Sequence, residues 1–249
     1  MLSQPPPPPH SQPRANMTAV IPLSNFTFLN YATPTPPLPT SLPFTLSTEP
    51  VTDLWRKPLD SIASNQSTLY TPLHLSTFIS ATASFRADWK TLYDQAGLIL
   101  LFPQSEASPK PLIELPDDHP PAWIKSGIEF VNGIPNRGTV SAPFNSWADW
   151  SLVPSSDVGL SITFEREGAV NGGQLGSSLQ IFLVEGEEGA KRKTMVREIT
   201  WVFEEELVKC DPVIWVGVYL AKPTRDGPED GQGGSLDVEF EEVEVVVRK

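Results

Sequence analysis

The chain has 249 residues, 39% of them apolar, with 30 acidic and 18 basic side chains for a net charge of −12. That length supports one large domain with its own core, and the acidic balance excludes a general nucleic-acid binder, which needs a basic surface to neutralise phosphates. The single cysteine, Cys210, excludes an intrachain disulfide and with it a disulfide-stapled secreted fold.

Residues 1–40 read as a disordered tail. Of the 27 prolines in the chain, the unbroken run Pro5–Pro9 and the cluster Pro34, Pro36, Pro37 and Pro39 fall here, and such runs favour polyproline II and supply no backbone donors. The tail reads either as a ligand for a proline-recognising domain or as a spacer; Met17 is an alternative translation start. Met1–Gln12 lacks the apolar core of a signal peptide, and no segment approaches the roughly 18 apolar residues that span a bilayer. Together with the free thiol, this places the expected compartment in the cytoplasm, with no membrane association.

From residue 41 short apolar runs alternate with turn residues. Leu75, Thr77, Ile79, Ala81, Ala83 and Phe85 fall at every second position, the period of a half-buried strand. Gly97–Phe102 reads as a strand buried on both sides. Further strands are expected at 42–47, 122–131, 138–142, 158–166, 178–185, 196–204, 213–221 and 235–247, punctuated by turn clusters such as 132–136 and 171–173. About ten strands without a long helix predict an all-β fold, one large sandwich over 41–249. The tract 223–235 reads as an acidic loop before the last strand.

Four short motifs carry chemistry-bearing side chains. In Trp123-Ile-Lys-Ser-Gly-Ile-Glu129, the alternation puts Ala122, Ile124, Ser126, Ile128 and Phe130 on a core face and Trp123, Lys125, Gly127 and Glu129 on the other. An indole, an ammonium, bare backbone and a carboxylate side by side suit a sugar-binding surface; the same set also reads as a structural Lys125–Glu129 pair on a solvated face. In Tyr93-Asp-Gln-Ala-Gly-Leu98, Asp94 and Gln95 point to opposite faces, one free to look into a groove while the other ties a loop. Ala148-Asp-Trp-Ser151 adds Trp150. In Val196-Arg-Glu-Ile-Thr-Trp201, Arg197 suits a bidentate bond to Asp149 or Glu129. The candidate ligand-binding set is therefore Tyr93, Gln95, Trp123, Lys125, Glu129, Trp150 and Arg197.

Glycoside hydrolysis would require two carboxylates flanking the scissile bond. Asp94, Glu129, Asp149 and Glu198 form the candidate catalytic set if folding assembles them; Asp237, Glu239 and Glu241 have a suitable two-residue spacing on the last strand but read as an exposed acidic face. The three histidines, His10, His74 and His119, are scattered, no His/Cys cluster has metal-ligand spacing, and Cys210 has no evident partner base. No cofactor is expected.

Asp53-Leu-Trp-Arg56, YDQAGL at 93–98, WIKSGIE at 123–129 and ADWS at 148–151 resemble, in order, the signature blocks of the regulation-of-enolase family, a fungal and bacterial domain family. The resemblance covers about residues 41–249 and includes Gly217-Val-Tyr-Leu-Ala-Lys-Pro223. It implies a concanavalin-A-like jelly roll of two antiparallel sheets and a regulatory role in carbohydrate metabolism. The residues themselves read as a non-catalytic binding module for a small carbohydrate or metabolite, with a glycan-active hydrolase using paired carboxylates, or a protein-partner regulator of a metabolic enzyme, as the alternatives.

Overall fold

A computed structural model of the chain describes residues 17–31, 35–58, 61–105, 115–117, 119–144, 146–168, 175–186, 190–225 and 234–249. The Pro5–Pro9 run, His10 and the turn at 171–173 lie outside the described residues, as does most of the acidic tract 223–235. Among the described residues there are sixteen strands: β1 (Thr18–Val20), β2 (Thr27–Leu29), β3 (Phe44–Thr48), β4 (Leu54–Lys57), β5 (Ser61–Ser64), β6 (Ser67–His74), β7 (Phe78–Ala87), β8 (Gln95–Phe102), β9 (Ala122–Val131), β10 (Ile134–Ala142), β11 (Asp149–Pro154), β12 (Gly159–Arg166), β13 (Leu179–Glu185), β14 (Arg192–Ile199), β15 (Val213–Ala221) and β16 (Leu236–Arg248). The one α-helix among them, α1 (Glu205–Cys210), is less than two turns long.

The strands form two seven-stranded antiparallel sheets, a jelly-roll sandwich. One runs β1-β16-β7-β12-β13-β14, with β3 also paired to β16, and the other runs β11-β10-β9-β8-β15-β6-β2. Period-two patterning explains the packing: Ala81, Ala83 and Phe85 of β7, Phe164 of β12 and Val238, Phe240 and Val245 of β16 meet Leu98, Leu100, Ile124, Ile128, Val216 and Val218 from the facing sheet in the main core. The alternation predicted from Leu75 begins only at β7, because Leu75–Thr77 form a 3-10 turn.

Three expectations change. First, the tail does not extend to residue 40: β1 pairs with the end of β16, β2 pairs with β6, and Phe26 between them is 3% exposed in the main core. The prolines on either side masked a short apolar segment that completes both sheets. Second, β6 was not foreseen because Pro72 interrupts it. Pro72 is tolerated because the partner β2 reaches only Thr68–Tyr70, so its missing N–H faces no strand there. Third, Arg192–Ile199 ends in a turn at Trp201–Phe203 where a longer strand was expected.

A second, smaller core lies on the outer face of the β11–β2 sheet, away from the sandwich interior. The hairpin β4–β5 folds over this face and presses Leu54 onto Ile99, Leu101, Trp123, Val140, Ala142 and Tyr219. Arg56 pins the hairpin from below, donating from Nη1 to the Pro121 carbonyl at 2.8 Å and from Nη2 to the Pro143 carbonyl. Its guanidinium is fully enclosed, and burial pushes its pKa down to about 10.

Both faces of β9 are therefore buried. Ile128→Ala should cost about 2–5 kcal/mol, and Trp123→Ala and Phe26→Ala about 3–5 kcal/mol each, measured by denaturant unfolding. Near-neutral results for Trp123→Ala would contradict the hairpin's role as a lid on a second core.

Candidate functional site

Where the hairpin stops short of the sheet edge, the outer face opens into a cleft of about 370 Å³. Its floor is built from β8 and β9, which place Gln95 opposite Glu129 in register and bring Lys125 to the same face. Its walls are aromatic: Trp55 from β4, Tyr93 from the turn before β8, and Trp150 from β11. Trp55 and Trp150 meet edge to face, with ring centroids 5.9 Å apart at 80°, and Tyr93 meets Trp150 at 6.4 Å and 68°. Pro223 and Thr224 close one end, and Lys57 and Ser61 lie at the mouth.

The floor is a connected polar network. Lys125 Nζ donates to the Leu54 carbonyl and to Gln95 Oε1, both at 2.7 Å, and pairs with Asp53 Oδ1 at 3.5 Å. Gln95 Nε2 donates to Asp53 Oδ1 and to the Tyr93 carbonyl, both at 3.3 Å. Trp150 Nε1 donates to Glu129 Oε2 at 2.9 Å. The ammonium also lies 5.5 Å from the Trp123 ring and 5.7 Å from the Tyr219 ring, so Trp123 acts from beneath.

Glu129 is 8% exposed. Burial raises its pKa above the ordinary 4.5, the Lys125 charge and the Trp150 hydrogen bond oppose the rise, and the Asp53 charge adds to it. Tyr219, wholly buried beneath, is pushed well above the usual phenol value by burial first and then by the charges of Glu129 and Asp53.

Asp53 is held by its neighbours. Asn65 accepts the Asp53 N–H at Oδ1 and donates from Nδ2 to the Val51 carbonyl, each at 2.8 Å. A buried pair behind the cleft, Lys222 and Asp94, fixes the Tyr93 turn. Lys222 Nζ reaches Asp94 Oδ1 at 3.2 Å and Thr91 Oγ1 at 2.7 Å, while Asp94 Oδ2 accepts the Lys90 and Thr91 N–H groups. The Lys222 carbonyl accepts the N–H groups of Val51 and Thr52, which ties the Asp53 segment to the same point.

Of the sequence-derived candidates, Tyr93, Gln95, Lys125, Glu129 and Trp150 come together in the cleft. Trp123 does not reach it, because the hairpin covers its ring completely. Gly127 offers no bare backbone to a ligand either: it faces Gly97 across β8–β9, and a Cβ on Gly97 would collide with the Ser126 carbonyl oxygen. The glycines serve a close approach of strands. Arg197 bonds Asp149 and Ser151, joining β14, at the edge of one sheet, to β11, at the edge of the other.

The four carboxylates proposed for catalysis are dispersed. Asp94 is committed to Lys222, Asp149 to Arg197, and Glu198 lies exposed on β14, in the other sheet; Glu129 alone faces the cleft. Asp237, Glu239 and Glu241 do form an acidic strand face, engaged by Ser47 and Arg86. Asp53 and Trp55 are cleft residues that the candidate set lacked. Their two-residue spacing in Asp53-Leu-Trp-Arg56, against buried Leu54 and Arg56, is the signal that marks them.

The fold and the cleft define a β-sandwich protein with an aromatic-walled cleft on the outer face of one sheet. The chain belongs to the family described as "Protein of unknown function (DUF1349)", whose match spans residues 39–246. It is 36% identical over 199 residues to an uncharacterized protein of Emericella nidulans, covering 79% of this chain and 82% of that one. A functionally unknown protein of Saccharomyces cerevisiae has the same fold, with a TM-score of 0.61 at 19% identity over 92% of this chain and 99% of that one. So does a structure described in connection with endo-acting O-glycanases that human gut microbiota express to initiate mucin breakdown, with a TM-score of 0.52 at 11% identity over 97% of this chain and 94% of that one. Among the described residues no helix is long and apolar enough to cross a membrane.

Two measurements test this description. Because Glu129 has a raised pKa in the folded protein, the native state binds more protons than the unfolded chain above pH 4.5. Stability should therefore fall as pH rises through the folded-state pKa of Glu129, and Glu129→Gln should flatten that slope in denaturant melts across pH. Asp94→Asn, which removes the buried partner of Lys222, should cost about 3–5 kcal/mol; a loss under about 1 kcal/mol would mean that the pair does not hold the turn.

Proposed function

We propose that this protein is a non-catalytic binding protein of carbohydrate metabolism, with the cleft between Trp55, Trp150 and Tyr93 as its sugar site. One observation carries this reading. Each of the four sequence blocks that resemble the regulation-of-enolase family contributes to this cleft: Asp53 and Trp55, Tyr93 and Gln95, Lys125 and Glu129, and Trp150.

Aromatic walls suit the C–H faces of a sugar ring, and a floor of carboxylate and amide oxygens suits its hydroxyls. The volume is near the small end for ligand sites and favours one sugar unit over a long chain. A fold shared with a structure from work on O-glycanases supports the ligand class. Binding is favoured over hydrolysis because the carboxylate set proposed for catalysis is dispersed and Asp53 Oδ1 is already committed to Leu54 N–H, Gln95 and Lys125. The family resemblance supports a regulatory setting with a metabolic enzyme as protein partner, and the free thiol of Cys210 suits a reducing compartment such as the cytoplasm.

The test is titration of the full chain with a panel of monosaccharides, followed by tryptophan fluorescence, since Trp55 and Trp150 line the cleft. Saturable quenching is expected, and Trp150→Ala should weaken the affinity at least tenfold. Trp150 is 37% exposed, so the stability cost should stay near 1 kcal/mol. No response to any sugar would overturn the reading.

A further inference from the structure

Carbohydrate binding leaves the chemistry of the ligand open, and the distribution of donors and acceptors in the cleft floor narrows it. Every hydrogen-bond donor of the floor is spent. Lys125 donates to Leu54 and Gln95 and pairs with Asp53. The Gln95 amide donates to Asp53 and Tyr93. The Trp150 indole donates to Glu129. Two acceptors are left over. Glu129 uses Oε2 for Trp150 and Asp53 uses Oδ1 for Leu54, Gln95 and Lys125; Glu129 Oε1 and Asp53 Oδ2 have no hydrogen-bond partner among the described residues. Glu129 is 8% exposed, and its open oxygen keeps its accessible surface in the cleft, where a ligand can reach it.

These two open floor positions only accept: a hydroxyl can meet one of them with its single donor, whereas an ammonium, which only donates, can meet both at once. Charge points the same way. The floor holds two carboxylates, Asp53 and Glu129, against the single ammonium of Lys125, and that ammonium is enclosed beneath its own acceptors. Lys57 at the mouth is exposed to solvent, where its charge is screened. Above the floor stand three rings with Trp55 and Tyr93 steeply inclined to Trp150, an arrangement whose faces attract a cation.

Building on the carbohydrate reading, we propose that the ligand is an amino sugar with a free, protonated amine, its ammonium bonded to Glu129 Oε1 and Asp53 Oδ2 and its ring against the tryptophans. Acetylation of the amine removes its charge and two donors, and a phosphate brings a further charge of about −1.5 to −2 beside the two carboxylates. Both modifications should exclude the sugar.

Calorimetric titration of the full chain with glucosamine, glucose, N-acetylglucosamine and glucose 6-phosphate at neutral pH tests this. Glucosamine should bind at least tenfold tighter than the other three, and the advantage should shrink with added salt. Glu129→Gln should abolish the preference for glucosamine over glucose; if that variant does not fold, Asp53→Asn gives the same readout. Equal affinity for glucose and glucosamine would overturn the amine assignment and leave the carbohydrate reading standing. Failure of all four sugars to bind would overturn both.

Discussion

The buried ammonium of Lys125 is the constraint on which the outer face depends. A lysine charge removed from water is tolerated only when its donors are matched, and here the partners come from two directions. Gln95 belongs to the sheet, while Leu54 and Asp53 belong to the hairpin that crosses it. Satisfying one cation therefore fixes the height and position of the hairpin above β8 and β9. The apolar contacts of Leu54 with Trp123 and Tyr219 then exclude water from that junction. The cleft is the remaining gap at the end of this covered region, so the same charge that anchors the lid defines the floor of the site.

Lys222 does comparable work from behind. Its side chain holds the turn that carries Tyr93, whose backbone has φ of 68°, a left-handed conformation unusual for a residue with a large side chain. The hydrogen bonds from Lys90 and Thr91 to Asp94, and that of Tyr93 N–H to the Phe130 carbonyl, compensate for the strain of that conformation. The aromatic wall is thus positioned by buried electrostatics on one side and by backbone pairing on the other.

Much of the sandwich is legible in the sequence because burial and alternation are local signals. Ala122, Ile124 and Ile128 fall on one face of β9, and Trp123, Lys125 and Glu129 on the other, as period two requires. What alternation cannot report is what covers a face. Trp123 reads as an exposed platform because nothing near it in sequence announces the four-residue strands of the hairpin nearly seventy residues earlier. Asp94 and Gln95 must diverge as adjacent strand residues, but only the fold decides that Gln95 enters the cleft and Asp94 meets Lys222. Phe26 was hidden for a different reason: prolines around it dominate the composition, while a single buried aromatic ring decides whether the segment joins the core.

The dispersal of the cleft residues along the chain has a kinetic consequence. Asp53 and Trp55 come from the first quarter of the sequence, Lys125 and Glu129 from the middle, and the anchoring Lys222 from near residue 225. The strand β15, which lies between β8 and β6, also falls late, at Val213–Ala221. Contacts of such long sequence separation form slowly, since loop closure must be completed before they contribute. During synthesis the early hairpin and the central strands must wait for β15 before the second sheet is continuous. The site is thus assembled near the end of folding, and a chain interrupted before residue 213 carries most of the cleft's side chains without the strand needed to bring them together.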